Sequence, residues 1–157
     1  MFSGDTKTVT ELRDLLACLA AVNFREAVGL GLELDGQLAQ KRPDLTGVLW
    51  EAARAAQEHG LALGRALTAA CCRAFAARLG EQHPGGAIEV RVPPWTAVQV
   101  GFGEGPTHRR GTPPNVVEMA PEIFIALATG NLCWSETEVQ TSGSQAEQVA
   151  AAFPLRP

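Results

Sequence analysis

The chain has 157 residues, of which 46% are hydrophobic and 19% are charged, so it can bury a core and is not a disordered tail. Thirteen basic and seventeen acidic residues give a formal net charge of −4. This charge argues against a protein that binds nucleic acid through a net positive charge. No apolar run approaches the ~18 residues of a membrane-spanning helix, and residues 1–5 lack the pattern of a signal peptide. We therefore expect a globular, cytoplasmic protein.

The first half of the sequence has the period of an amphipathic helix. Leucines recur at spacings of three and four over residues 12–19, and Thr10 is placed to cap their helix. The pattern continues through Phe24 and Val28 towards Leu38, although three glycines weaken it by up to ~1 kcal/mol each.

A second, alanine-rich helical region covers residues 45–79. It follows a break at Pro43, and Asp44 is placed to start it. The His59-Gly60 pair predicts a joint between two helices, and Gly80 predicts a helix end.

The period changes from 3.6 residues to two after the second helical region. Residues 87–92 alternate between apolar and polar, which predicts a half-buried strand. Pro93-Pro94 ends it, because proline cannot donate to a ladder, and a second strand follows from Trp95 to about Phe102. We expect a polar strand or loop at residues 107–111 and a short strand at residues 116–119.

The helical period returns at Pro121, a residue that the first turn of a helix accepts. That helix is expected to stop at residues 129–131. Residues 134–139 predict one or two helical turns, residues 141–144 a turn or short edge strand, and residues 146–153 a final helix. Antiparallel strands followed by helices favour an α+β fold with helices on one face of the sheet.

The sequence contains no recognisable catalytic or metal-binding motif. Cys18, Cys71, Cys72 and Cys133 form no Cys-x-x-Cys pair, and we interpret them as small apolar residues in a reducing compartment. No P-loop, His-Glu-x-x-His or Gly-x-Ser-x-Gly string is present. The pair His108 and Glu118 can transfer a proton only if the fold brings the two together. We therefore expect no enzyme activity, no cofactor and no metal.

Three strings in the C-terminal half are similar to the bacterial, mainly actinobacterial, group of sterol-carrier-like proteins. They cover residues 91–99, 105–118 and 126–134, and the most specific is Arg-Gly-Thr-Pro-Pro-Asn at residues 110–115. The resemblance implies a sterol carrier protein fold, with a mostly antiparallel sheet of about five strands covered by helices. It also implies two domains: a helical N-terminal extension at residues 1–60 and the sterol-carrier-like domain at residues 61–157.

The better-known relatives hold fatty acyl chains, acyl-CoA or sterols in an apolar cavity between sheet and helices. The resemblance thus predicts non-catalytic binding or carriage of a small apolar or amphipathic ligand. The candidate apolar and polar contacts are Trp95, Val98, Val100, Phe102, Asn115, Phe124, Leu127, Leu132 and Trp134. The candidate partners of an acidic head group are His108, Arg109 and Arg110, since cationic side chains beside a stiff bend bind carboxylates and phosphates.

Each of these assignments has a structural alternative. The apolar residues can form an ordinary packed core, the tryptophans can anchor it, and one arginine can brace the bend by pairing with Glu118.

Two other functions stay open at the level of sequence. The helices of residues 8–58 can bury a face in a second copy or in another chain, with the sheet domain as a filled scaffold. The chain can also be an accessory domain of a thiol-dependent isomerase or transferase. That reading is weakened because the helical half has only His59 and cannot furnish a three-histidine metal site.

Overall fold

The computed structural model describes residues 2–102 and 115–156, and all structural statements below concern these residues. They divide within a long helix into two compact units, a helical unit that ends at Ala74 and a sheet unit that begins at Phe75. The division of the chain at residue 60 stays a prediction.

The described residues form an α+β structure. The α-helices are α1 (Thr6–Val22), α2 (Phe24–Leu38), α3 (Thr46–Glu58), α4 (Arg65–Gln82) and α5 (Pro121–Thr129). The strands are β1 (Ile88–Val92), β2 (Thr96–Val100), β3 (Asn115–Glu118) and β4 (Gln140–Ser142), and 3-10 helices cover Trp134–Glu136 and Ala146–Ala152. Within the described part of the chain, no helix has the length and apolar character needed to cross a membrane.

Helix α1 begins earlier than the sequence predicts. The Asp5 side chain accepts a 2.7 Å hydrogen bond from the Thr8 N–H and caps the helix, whereas Thr10 lies inside it and donates to the Thr6 carbonyl. The expected continuation towards Leu38 is interrupted at Asn23. The Asn23 N–H ends α1 on the Leu19 carbonyl, and its side chain starts α2 by accepting the Glu26 N–H. One polar residue thus separates two helices.

Helices α1, α2 and α3 pack against one another through a buried stripe on each. Arg54 of α3 ties two of them together. Its guanidinium lies 2.8 Å from a carboxylate oxygen of Glu26 on α2, and it also pairs with Glu51 and Glu58 on its own helix. Helix α3 ends at Glu58, which confirms the predicted joint at His59-Gly60.

Helix α4 does not end at Gly80, as the sequence predicts, but continues to Gln82. A Cβ atom at Gly80 would lie 2.9 Å from a methyl group of Val98. The glycine therefore allows β2 to approach α4 closely, and its role is in packing rather than in ending the helix.

The sheet has the strand order β2-β1-β3-β4. The pairs β1–β2 and β3–β4 are antiparallel, and the central pair β1–β3 is parallel, with Val90 opposite Val98 on one side and Val117 on the other. The prediction of about five strands is not matched, because the described residues contain four. The segment 107–111, where a polar strand or loop is predicted, lies outside them. The predicted alternation in β1 is confirmed, with every second residue buried.

The C-terminal segment closes the sheet unit. Helix α5 has Pro121 in its first turn and ends at Gly130, whose φ of 79° is left-handed, as a helix-ending glycine requires. The predicted final helix is a 3-10 helix rather than an α-helix. The Leu155 N–H donates to the Ala128 carbonyl at 3.0 Å, which fixes the end of the chain on α5.

Candidate functional site

A partly enclosed pocket of about 350 Å³ lies where α4 ends in the sheet unit. Three polar residues and three small apolar ones line it: Gln82, His83, Ala151, Ala152, Pro154 and Arg156. Its volume falls near the lower end of small-molecule sites, which span roughly 300–1,000 Å³. We call it the His83–Arg156 pocket.

The position of His83 is fixed by the backbone and by an aromatic neighbour. Its N–H donates to the Leu79 carbonyl at 3.0 Å as the last turn of α4 closes, and its carbonyl accepts the Gly101 N–H at 3.1 Å. The imidazole stacks on Phe102 with ring centroids 4.6 Å apart and planes 28° apart. The ring thus joins the polar pocket to an aromatic surface.

Two glycines make this arrangement possible. A Cβ atom at Gly85 would lie 2.6 Å from the Cα atom of Gly101, so the two backbone segments approach more closely than any side chain permits. Because Gly101 immediately precedes Phe102, this contact places the phenyl ring beside His83.

Arg156 is held by its backbone, which leaves its side chain available. The Gln82 amide donates to the Arg156 carbonyl at 2.9 Å and accepts the Arg156 N–H at 3.4 Å. Pro154 packs against α5 at Gly130, where a Cβ would lie 3.4 Å from the proline ring. These contacts anchor the chain on both sides of Leu155, which is itself buried.

The charge of the pocket suits an anion. One guanidinium and one imidazole line it, and none of its six lining residues carries a carboxylate. Among the described residues, Arg156 has no ion pair. A carboxylate or phosphate can therefore accept charge-assisted hydrogen bonds here without displacing an existing partner.

Sequence reasoning missed both basic residues of the pocket. His83 and Arg156 lie far apart in the sequence, and neither belongs to a motif. His83 directly precedes the Pro-Gly-Gly string at residues 84–86, which indicates only the change from helix to strand. The three residues predicted to bind an acidic head group, His108, Arg109 and Arg110, lie outside the described residues.

The predicted apolar contacts on β2 take different positions. Val100 is fully buried, whereas Val98 is half-buried and contacts α4 at Gly80. Phe102 is half-buried and stacks on His83. This stacking brings Phe102, one of the predicted residues, into contact with the lining of the His83–Arg156 pocket.

The other predicted aromatic residues meet at the C-terminal segment. Trp134 stacks on Phe153 with ring centroids 6.0 Å apart, and Phe153 meets the buried Phe124 edge to face at the same distance. Leu127 is fully buried and Leu132 is half-buried. Phe153, which the sequence analysis did not include, joins the two predicted rings.

Trp95 and Asn115 occupy different surroundings. Trp95 lines a shallow depression of about 360 Å³ together with Arg91 and Glu118, which are register partners on β1 and β3. Asn115 is buried, and its amide group donates to the Ala87 carbonyl at 2.9 Å and accepts the Gln145 N–H at 2.9 Å. Its side chain links the start of β1 to the segment after β4.

The cysteines divide into two classes. Cys71 and Cys72 are buried in α4, while Cys18 and Cys133 are exposed, and all four are free thiols. Burial raises the pKa of the Cys71 thiol far above neutrality, with the neighbouring Cys72 adding to the effect, so Cys71 stays protonated. Within residues 2–102 and 115–156, no three His, Cys, Asp or Glu side chains are arranged to hold a metal ion.

Comparison with known proteins identifies the family. Residues 64–155 match a family model described as a bacterial SCP ortholog, where SCP denotes a sterol carrier protein. A search of curated proteins finds no match to the chain. Because the family model covers more than half of the chain, including α5 and all four strands, this protein belongs to the bacterial SCP ortholog family. The resemblance found in the sequence is thereby confirmed.

Proposed function

We propose that this member of the bacterial SCP family binds a small amphipathic acid, such as a long-chain fatty acid, without catalysing a reaction. The observation that carries the proposal is the His83–Arg156 pocket, which combines two cationic or titratable side chains with an adjoining aromatic surface. Family membership supports a lipid as the class of ligand.

The head group of the ligand would accept hydrogen bonds from the Arg156 guanidinium and the His83 imidazole. Hydrogen bonds to charged groups contribute roughly 1.5–3 kcal/mol each. The acyl chain would leave the pocket past Phe102, where each buried CH₂ group contributes about 0.8 kcal/mol. The two parts of the ligand thus match the two kinds of surface that meet at His83.

The chemistry of the described residues supports binding rather than catalysis. The Cys71 thiol is protonated and fully buried, so it is no nucleophile. In the described part of the chain, no carboxylate contacts His83, whereas a histidine that acts as a general base is usually oriented by such a partner.

Native mass spectrometry of the purified full-length chain, with organic extraction of the same sample, tests the proposal first. A mass surplus that matches an extracted acidic lipid is the expected result. A bare chain mass that does not shift after incubation with fatty acids overturns the proposal.

Titration calorimetry then tests the head-group site. We expect Arg156→Gln to weaken binding of a long-chain fatty acid about tenfold or more, and to leave binding of the fatty alcohol of equal chain length unchanged. Arg42→Gln is the matched control, because it removes the same charge from an exposed position outside the pocket. Equal losses for acid and alcohol would place the head group elsewhere.

A further inference from the structure

Helix α2 is apolar on two sides. Its buried side contributes Ala27, Leu30 and Leu34 to the interior of the helical unit. Its other side exposes Phe24 (71%), Val28 (43%) and Leu32 (70%). A helix at the surface of a globular protein normally presents one apolar stripe, towards the core, and polar residues on the opposite side.

The exposed residues form one ridge. Their spacing of four positions places them one above the other along α2. Together with Val22 (56%), at the end of α1, they are all of the exposed large hydrophobic side chains among the described residues. Such a concentration of apolar surface marks an interaction site more often than chance.

Glycines lie beside this ridge. A Cβ atom at Gly29 or at Gly36 would meet no other atom of the described residues within 4 Å, so packing within residues 2–102 and 115–156 requires neither glycine. Each destabilises the helix by roughly 1 kcal/mol relative to alanine. Their missing side chains leave a shallow groove next to the ridge, and a ridge from another helix can enter it.

The charges on α2 select the direction of such a partner. Arg25 stands exposed at the N-terminal end of α2 and has no ion pair in the part of the chain described. Glu33 stands exposed near the C-terminal end, beside Asp35, which pairs with Arg13 of α1. When two copies of α2 meet antiparallel, the basic end of each faces the acidic end of the other. A parallel pair would bring like charges together.

We propose that α2 is the self-association surface of this protein, and that its partner is the antiparallel α2 of a second copy. In that arrangement Phe24 of one copy packs near Gly36 of the other, and Val28 packs near Leu32. The interface has two-fold symmetry, so each copy supplies both ridge and groove.

The size of this surface sets the expected strength of the dimer. A helix of 15 residues is about 22 Å long, and one side of it offers less than the ~800 Å² per partner of a stable complex. The dimer is therefore weak, and it forms and dissociates over an accessible range of protein concentration.

Sedimentation velocity of the full chain, from low micromolar to millimolar concentration, tests the surface. The expected result is a reversible monomer–dimer equilibrium that Leu32→Glu weakens at least tenfold, because the substitution places a charge in the apolar ridge. Ala77→Glu is the matched control, since it adds the same charge at an exposed position of α4. A monomer at every concentration, or a dimer that Leu32→Glu leaves intact, overturns the proposal.

Charge reversal tests the direction of the helices. Arg25→Glu is expected to weaken the dimer about fivefold, since each interface has two equivalent copies of the contact, and a second change, Glu33→Arg, is expected to restore it. A parallel pair would not respond in this way, because each reversal would leave like charges facing like. Circular dichroism of each variant separates lost association from lost folding.

Discussion

The helical unit and the sheet unit use charge and apolar surface in opposite ways. In the helical unit several charged groups stabilise the fold: Arg54 binds three carboxylates, and Glu11 accepts the Leu67 N–H at the start of α4. Its spare surface is apolar and lies on α2. In the sheet unit the described apolar side chains of large size are at least partly covered, and His83 and Arg156 line a pocket whose lining carries no carboxylate. The two proposals therefore concern different units: self-association in the helical unit and binding of an acidic ligand in the sheet unit.

The largest effect is expected from closing the space between two backbones in the sheet unit. In Gly85→Ala the new methyl group would lie 2.6 Å from the Gly101 Cα, so the backbone must move. We expect the free energy of unfolding to fall by about 3 kcal/mol, as in severe overpacking. Denaturant unfolding followed by circular dichroism measures it. An unchanged midpoint would mean that this close approach is not needed for the fold.

The next effect tests whether charge holds the helical unit together. Arg54→Ala leaves Glu26, Glu51 and Glu58 without their shared partner. We expect the free energy of unfolding to fall by about 1–2 kcal/mol, since the guanidinium is 27% exposed and partly screened by solvent.

Two controls sharpen this comparison between the units. Arg13→Ala removes one exposed pair with Asp35 and should cost less than about 0.5 kcal/mol. Arg156→Gln, in the sheet unit, should change the free energy of unfolding equally little while it weakens ligand binding. If Arg156→Gln destabilises the chain as much as Arg54→Ala, the contrast between the units is wrong.

A smaller effect of opposite sign is expected at a glycine of the helical unit. Gly31 lies inside α2, and a Cβ there would meet no atom within 4 Å. Gly31→Ala should therefore raise the free energy of unfolding by about 0.5–1 kcal/mol, because alanine loses less backbone entropy on folding. Thermal unfolding measures the gain. A loss of stability would instead show that Gly31, like Gly85, is required by packing.

The smallest effect is a pH dependence in the helical unit. Burial raises the pKa of the Asp44 carboxyl, but hydrogen bonds from Thr46 and from the Phe2 N–H outweigh it and hold the pKa below 3.8. The carboxylate thus contributes stability above about pH 3.8, and that contribution is lost as the pH falls through the lower folded-state value. In Asp44→Asn the free energy of unfolding should therefore fall less between neutral and acid pH than in the unaltered chain, by under about 1 kcal/mol. Identical acid profiles would contradict this.

Local patterns predicted most of the elements correctly. The alternation of residues 87–92 specifies β1, because only one face of that strand is buried. Pro121 marks the start of α5, since its missing N–H costs nothing in the first turn. Gly80 was misread because a glycine that ends a helix and a glycine that admits a neighbouring strand look alike in sequence. The parallel β1–β3 pairing was also missed, since strand direction depends on the path of the chain between strands.

Local residue strings and periods of two and 3.6 residues are enough to predict the family and the α+β class. The candidate pocket depends instead on contacts between distant parts of the chain. His83 and Arg156 line the same pocket because Gln82 binds the backbone of Arg156, a contact between residues 74 positions apart. Likewise, the sequence pattern places Phe24 and Val28 on the apolar stripe of the helix, but packing exposes both and buries Leu30 and Leu34 instead. Contacts between distant residues depend on the whole fold, and no local pattern encodes them.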